Sequence, residues 1–200
     1  MLPLHRAAVL APIAALLTVL PLAAQTAAPA PLRVRQQIAA AVSPLPVELR
    51  ADATVLGRGE SGELRTLRLG AGPMICLAPD PAPAEFHAAC YHRSLEPFMA
   101  RGRALRARGL AGDQIDSARF AEIAAGTLVM PAHPAALYSL FGGTLDRETG
   151  AVSGAKPLVV VYVAGATTES TGLPARPVGG GPWIMSAGSP RAHIMFVPTM

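Results

Sequence analysis

Hydrophobic and polar positions follow two different periods along the chain, and the changes of period divide it into three sections. Between residues 45 and 92, short apolar runs are separated by turns rich in glycine and proline, as in strands. Between residues 94 and 126, apolar residues recur every three or four positions, as in helices. Short apolar runs return from residue 136 onward. This order predicts one α+β domain with a mostly antiparallel sheet and two or three helices.

A short helix is predicted before the first section, and a hairpin and two further strands are predicted within it. Apolar spacing over residues 32–42 indicates a helix, which Pro44 ends. Residues 54–69 are typical of a hairpin with a glycine-rich turn. Residues 73–78 and 86–92 are short apolar runs on either side of a proline-rich loop. We expect the second run to return antiparallel to the first.

Two amphipathic helices are predicted next. Ser94 is a suitable N-cap for the first, and Gly109 a suitable stop. The second begins near Asp113, with Asp116 in a position that resembles a capping box, and ends at Gly126. The first helix carries the strongest apolar stripe of the chain, consisting of Leu95, Phe98, Met99, Gly102 and Leu105.

The third section predicts four strands, at residues 136–141, 158–163, 183–185 and 193–197. Residues 158–163 are six consecutive apolar positions, rich in β-branched side chains. Such a run avoids water only if both faces of its strand are covered. We therefore expect a central strand, packed on at least one side by the apolar stripe of the first amphipathic helix.

The first 24 residues have the layout of a signal peptide. Arg6 precedes an apolar stretch over residues 7–20, and small residues follow at Ala23 and Ala24. This pattern predicts a signal peptide over 1–24, a flexible linker over 25–31, and a single domain over 32–200 in the periplasm or outside the cell. A retained membrane anchor is the alternative, since 18 residues are near the minimum for spanning a bilayer.

Charge and composition exclude few classes of partner. Without residues 1–24 the net charge is about +3, which is low for a nucleic-acid-binding protein, and no basic stretch is interleaved with aromatic residues. We expect no nucleic-acid partner and no stable membrane insertion after cleavage. Sixteen of the 17 basic residues are arginine, so the high isoelectric point mainly reflects arginine's pKa. The sequence names no partner.

Cys76 and Cys90 are the only cysteines, and an even number in an exported chain predicts one disulfide. The proline-rich loop between them allows the two strands to lie side by side. A metal or redox site formed with His87 and His92 is the alternative, although this spacing matches no standard zinc pattern.

Two groups of polar residues are candidates for chemistry. His92 and Glu96, with Arg101 nearby, have the spacing of a proton-transfer pair, or else form a solvated helix start. His193 and Met195 lie on one face of a predicted strand and could bind copper, with Met130, Met185 and Met200 as further available ligands. The alternative is that the methionines fill gaps in the core.

Common catalytic and cofactor motifs are absent, including the nucleophile elbow, the zinc-protease motif, the Walker loop and the C-x-x-C pair. We therefore expect no cofactor. The leading interpretation is a non-catalytic binding or structural accessory protein. The alternatives are a hydrolase-like enzyme with a site near His92 and Glu96, and a metal-binding protein that uses His, Cys or Met side chains.

Three segments, residues 90–103, 169–174 and 182–185, resemble a group of uncharacterised exported bacterial proteins. The resemblance covers most of the chain after the signal peptide. No activity is assigned to that group, so the resemblance implies export and no function.

The exported protein is predicted to begin at or near Gln25, because the small residues after the apolar stretch suit signal peptidase. Intact-mass measurement of protein recovered from the periplasm or medium checks this. A mass that includes Met1 would instead support the membrane anchor.

Overall fold

The computed structural model describes residues 32–80 and 85–198. The predicted signal peptide and linker, residues 1–31, lie outside the described residues. All statements below concern the described part of the chain.

Eight strands form one mixed sheet, and two short strands form a separate hairpin. In chain order the strands are β1 (Thr54–Arg58), β2 (Leu64–Arg68), β3 (Met74–Leu77), β4 (His87–His92), β5 (Ala135–Phe141), β6 (Thr144–Leu145), β7 (Val152–Ser153), β8 (Lys156–Tyr162), β9 (Trp183–Met185) and β10 (His193–Phe196). The helices are α1 (Val34–Val42), α2 (Val47–Arg50), α3 (Glu96–Ala107), α4 (Asp113–Ala124) and α5 (Thr168–Thr171).

The order across the large sheet is β2-β1-β3-β4-β5-β8-β10-β9. Every neighbouring pair is antiparallel except β1 and β3, which are parallel. The predicted α+β fold with a mostly antiparallel sheet is confirmed, as is each strand predicted from an apolar run. The hairpin β6–β7 and the one-turn helices α2 and α5 were not predicted, because each is too short to show a period.

Helical residues pack against both faces of the sheet. On one face, which we call the α1 face, side chains of β1, β3, β4 and β5 pack against Ala41, Val42 and Leu45. On the other, the α3 face, Ile75, Tyr91 and their neighbours pack against Leu95 and Met99. Among the described residues, none of the helices combines the length and the hydrophobicity that a membrane span requires.

The predicted disulfide is confirmed. Cys76 of β3 lies directly opposite Cys90 of β4, their Cα atoms are 3.9 Å apart, and both residues are fully buried on the α1 face. Because both sulfurs are bonded to each other, neither is available as the thiolate that the alternative metal site requires. Closing a loop of this length stabilises the fold by about 3 kcal/mol.

The start of α3 differs from the prediction. A 3-10 turn (Arg93–Leu95) precedes the helix, so Ser94 is not the N-cap; its backbone N–H instead donates to the His92 ring. The predicted stop is correct. Gly109 has φ +88°, and the N–H groups of Gly109 and Leu110 donate to the carbonyls of Arg106 and Leu105 at 2.9 and 3.2 Å. This pair of bonds satisfies carbonyls that the helix end leaves open.

Strand β8 is interior, between β5 and β10, as the apolar run predicted. Its last residue, Tyr162, contacts Phe98 of α3 edge to face, with ring centroids 6.4 Å apart. Val160 is the only residue of the strand that is buried, so the faces of the sheet at β8 are covered only in part.

Val160→Asp is expected to abolish folding, because it places an unpaired charge at a site only 5 % exposed. The cost of several kcal/mol is comparable with the whole stability of a domain this size. Val129→Asp is the matched control, since Val129 is 62 % exposed. Yield and thermal unfolding of both variants check this; a soluble Val160→Asp protein with the parent's melting temperature would contradict the central position of β8.

Candidate functional site

Among the described residues, no hydrogen bond connects His92 with Glu96. The ring Nδ1 of His92 lies 2.8 Å from the Ser94 hydroxyl. Arg101 pairs instead with Glu122 of α4, its Nε lying 2.8 and 2.9 Å from the two carboxylate oxygens. The three residues therefore belong to three separate sets of contacts, and no proton-transfer pair is assembled.

Glu96 belongs to a closed network with Tyr91 and Arg103. The Tyr91 hydroxyl donates to Glu96 Oε2 at 2.5 Å and accepts from Arg103 at 2.8 Å, while Arg103 also bonds Glu96 Oε1 at 2.6 Å. Burial, and next the bond to Glu96, raise the pKa of Tyr91 well above its usual value. Each of the three side chains is hydrogen-bonded to the other two, so the network fixes α3 to the sheet.

A second network lies where strands β8 and β10 meet helices α3 and α4. Asp116 of α4 holds two guanidinium groups, since its carboxylate oxygens lie 2.6 Å from Arg119 and 2.6 Å from Arg191. Arg119 is only 9 % exposed and lies over the Phe98 ring, 3.7 Å from its centroid. Its Nε has no hydrogen-bond partner among the described residues. Asp116 thus serves an ion pair rather than the capping position predicted for it.

Aromatic side chains connect this network to the sheet. Tyr162 stacks on His193, with ring centroids 5.1 Å apart and planes at 30°. His193 Nδ1 lies 2.7 Å from the Arg191 carbonyl oxygen. A carbonyl only accepts, so Nδ1 carries the proton and Nε2 of the neutral ring keeps its lone pair. Burial lowers the pKa of His193, which favours the neutral ring.

Two donors in this region make no hydrogen bond within the described residues: the Tyr162 hydroxyl and one terminal nitrogen of Arg191. The Arg191 Nε is used, donating to the Ser186 hydroxyl at 3.1 Å. Burial raises the pKa of Tyr162, so its hydroxyl keeps its proton at neutral pH. We call this set the arginine–tyrosine site, defined by Asp116, Arg119, Tyr162, Arg191 and His193. It has two arginines and one carboxylate.

Strand register places the metal candidates His193 and Met195 on the α3 face, with Met185 directly opposite His193 on β9. Of the further methionines that the sequence makes available to such a site, the pairing of β9 with β10 brings Met185 beside His193. Within the described residues, His, Cys, Asp and Glu form no group of three or more that could hold a metal ion. Any metal site on this face would therefore need the methionines.

A serine–histidine pair also escaped the sequence analysis. His87 of β4 and Ser139 of β5 are 52 positions apart, yet Nε2 lies 3.0 Å from Oγ. Desolvation lowers the pKa of His87, so the ring can accept a proton. However, Ser139 is only 6 % exposed, and no described residue hydrogen-bonds His87 Nδ1. The pair lacks the third group that orients the base in a catalytic triad.

Ionisation of Tyr91 is expected to lower the free energy of unfolding at alkaline pH. Its folded pKa lies above the unfolded value of about 10, so the stability it contributes is present below pH 10 and lost as the pH rises toward the folded pKa. Tyr91→Phe should lose about 1.5–3 kcal/mol at pH 7, through its bonds to charged groups, and should flatten this fall.

Urea unfolding of both proteins between pH 7 and pH 11 checks this expectation. Tyr138→Phe, at a residue with no polar contact to α3, is the matched control. An identical alkaline slope in the parent and in Tyr91→Phe would show that the network does not hold Tyr91 in its protonated form.

Comparison with known proteins assigns no family to the chain. No family model matches it, and neither the curated proteins nor the solved structures contain a significant match. Its function therefore has to be argued from the sites described above.

Proposed function

We propose that the chain is an exported, non-catalytic binding protein that takes a small anionic ligand, bearing a carboxylate or phosphate group, at the arginine–tyrosine site. The observation that carries this proposal is the pair of donors on Tyr162 and Arg191 that no described residue uses, beside a cluster with more positive than negative charge.

The charges of the site favour an anion. Asp116 is shared between two guanidinium groups, so its single negative charge leaves one positive charge uncompensated within the cluster. Arg119 is buried against the Phe98 ring, whereas the Arg191 side chain is 37 % exposed and faces solvent. Bonds from a guanidinium to a carboxylate or phosphate are about twice as strong as those between neutral groups. The protonated Tyr162 hydroxyl supplies a second donor.

A non-catalytic role fits the arrangement of the acid and base candidates. Glu96 is held by Tyr91 and Arg103, and His92 is bonded to Ser94. The Ser139–His87 pair is the remaining catalytic candidate, and its serine is buried. Export is supported by the disulfide, which persists in oxidising compartments, together with the signal-peptide pattern of residues 1–24.

Arg191→Gln should remove anion binding, because it removes the exposed charge while keeping a polar side chain. The probes are inorganic phosphate and benzoate, and the readouts are calorimetry and amide chemical shifts of residues near Tyr162. Arg106→Gln is the matched control, since Arg106 is an exposed arginine of α3 outside the site. Absence of binding in the parent, or equal binding in Arg191→Gln, contradicts the proposed ligand class.

A fluorophosphonate probe tests the non-catalytic part separately. The proposal expects Ser139 to stay unmodified, as judged by intact mass and peptide mapping. Labelling of Ser139 that disappears in His87→Gln would show an activated serine and would replace the proposal by a hydrolase.

A further inference from the structure

We propose that His193, Met185 and Met195 form a binding site for a soft monovalent metal ion, copper(I), on the α3 face at the β9–β10 end of the sheet. This inference goes beyond the anionic ligand proposed above and does not depend on it. The ligand atoms of this site are Nε2 of His193 and the thioether sulfurs of the two methionines.

Strand register brings the three side chains together. His193 and Met185 are directly paired across β10 and β9, and Met195 lies two residues along β10 on the same face. Directly opposed residues of antiparallel strands have Cβ atoms about 4.5–5.5 Å apart, and diagonal neighbours about 7–8 Å. Methionine has three rotatable side-chain bonds, so both sulfurs can turn toward one point beside the imidazole. Met185 is 39 % exposed, which leaves the point open to solvent.

The imidazole is already oriented as a ligand. Its Nδ1–H donates to the Arg191 carbonyl at 2.7 Å, and its ring stacks on Tyr162. Histidine ligands of metals almost always donate their other ring N–H to a carbonyl, carboxylate or water, and this bond fixes the tautomer and the ring plane. Nε2 of His193 therefore carries a lone pair directed away from the Arg191 backbone.

The ligand atoms available at this position favour copper(I) over harder ions. Thioether sulfur favours copper(I), whereas carboxylates and water favour harder ions. Both cysteines of the chain are joined in the disulfide, so no thiolate competes for a soft ion. All three ligands are neutral, and Arg191 lies close by, so a singly charged ion is less opposed by the local charge than a divalent one.

The chain's single tryptophan reports on the site. Trp183 is directly paired with Met195 on the same face of the sheet. A heavy or redox-active ion bound at the methionines is within quenching distance of the indole. Tryptophan fluorescence therefore measures binding at this position rather than anywhere on the chain.

The experiment titrates the purified protein with silver(I) in chloride-free buffer, as a redox-inert substitute for copper(I), and then with copper(I) against a chromogenic copper(I) chelator under ascorbate. We expect one ion per chain by native mass spectrometry and quenching of Trp183. His193→Asn, Met185→Leu and Met195→Leu should each weaken binding by about tenfold or more, at least the effect of losing an outer-shell partner.

His133→Asn and Met130→Leu are the matched controls, because both residues lie outside the paired strands β9 and β10. They should bind silver(I) and copper(I) like the parent. No binding by the parent, or undiminished binding by the variant that carries all three ligand substitutions, would overturn the proposal.

Discussion

The carboxylate of Asp116 is the contact on which the candidate site depends. It bonds Arg119, which is nearly buried beneath α3, and Arg191, which precedes strand β10. One side chain thereby joins helix α4 to the β9–β10 end of the sheet. Removing one partner of a buried ion pair costs about 3–5 kcal/mol, because the remaining charge stays buried and uncompensated. Asp116 is thus harder to replace than an exposed helix carboxylate.

Other residues are adapted to this contact. A Cβ atom at Gly102 of α3 would lie 3.0 Å from a terminal nitrogen of Arg119, so a larger residue there would crowd the guanidinium between α3 and α4. On its other side the guanidinium lies on Phe98, which contacts Tyr162. The contacts from Asp116 to His193 are therefore continuous. They position the residues of both proposed sites, the anion site and the copper(I) site, at the β9–β10 end of the sheet.

The spacing of apolar residues was sufficient to predict the strands of the sheet, but it did not predict the arginine–tyrosine site. Apolar runs and turn residues located every strand of the large sheet, and an even cysteine count with a proline-rich loop predicted the disulfide. The site depends on pairs distant in sequence, such as Asp116 with Arg191 and Tyr162 with His193, and these appear only once the strand order is known. A local signal did exist for Arg119, which lies four residues after buried Ile115 on the inner side of α4. The spacing of His92 and Glu96 left a proton-transfer pair open as an alternative, but the side-chain contacts depend on the fold: Glu96 bonds Tyr91, and His92 bonds Ser94.

Hydrogen exchange of Asp116→Asn, compared with the parent, tests the central role of Asp116 most directly. Local stability is read from the protection of individual amides. If Asp116 joins the two elements, amides of both α4 and β10 should lose protection together, while amides of β3 and β4 around the disulfide keep theirs. Loss of protection confined to α4, with β10 unchanged, would contradict the claim that this carboxylate positions the end of the sheet.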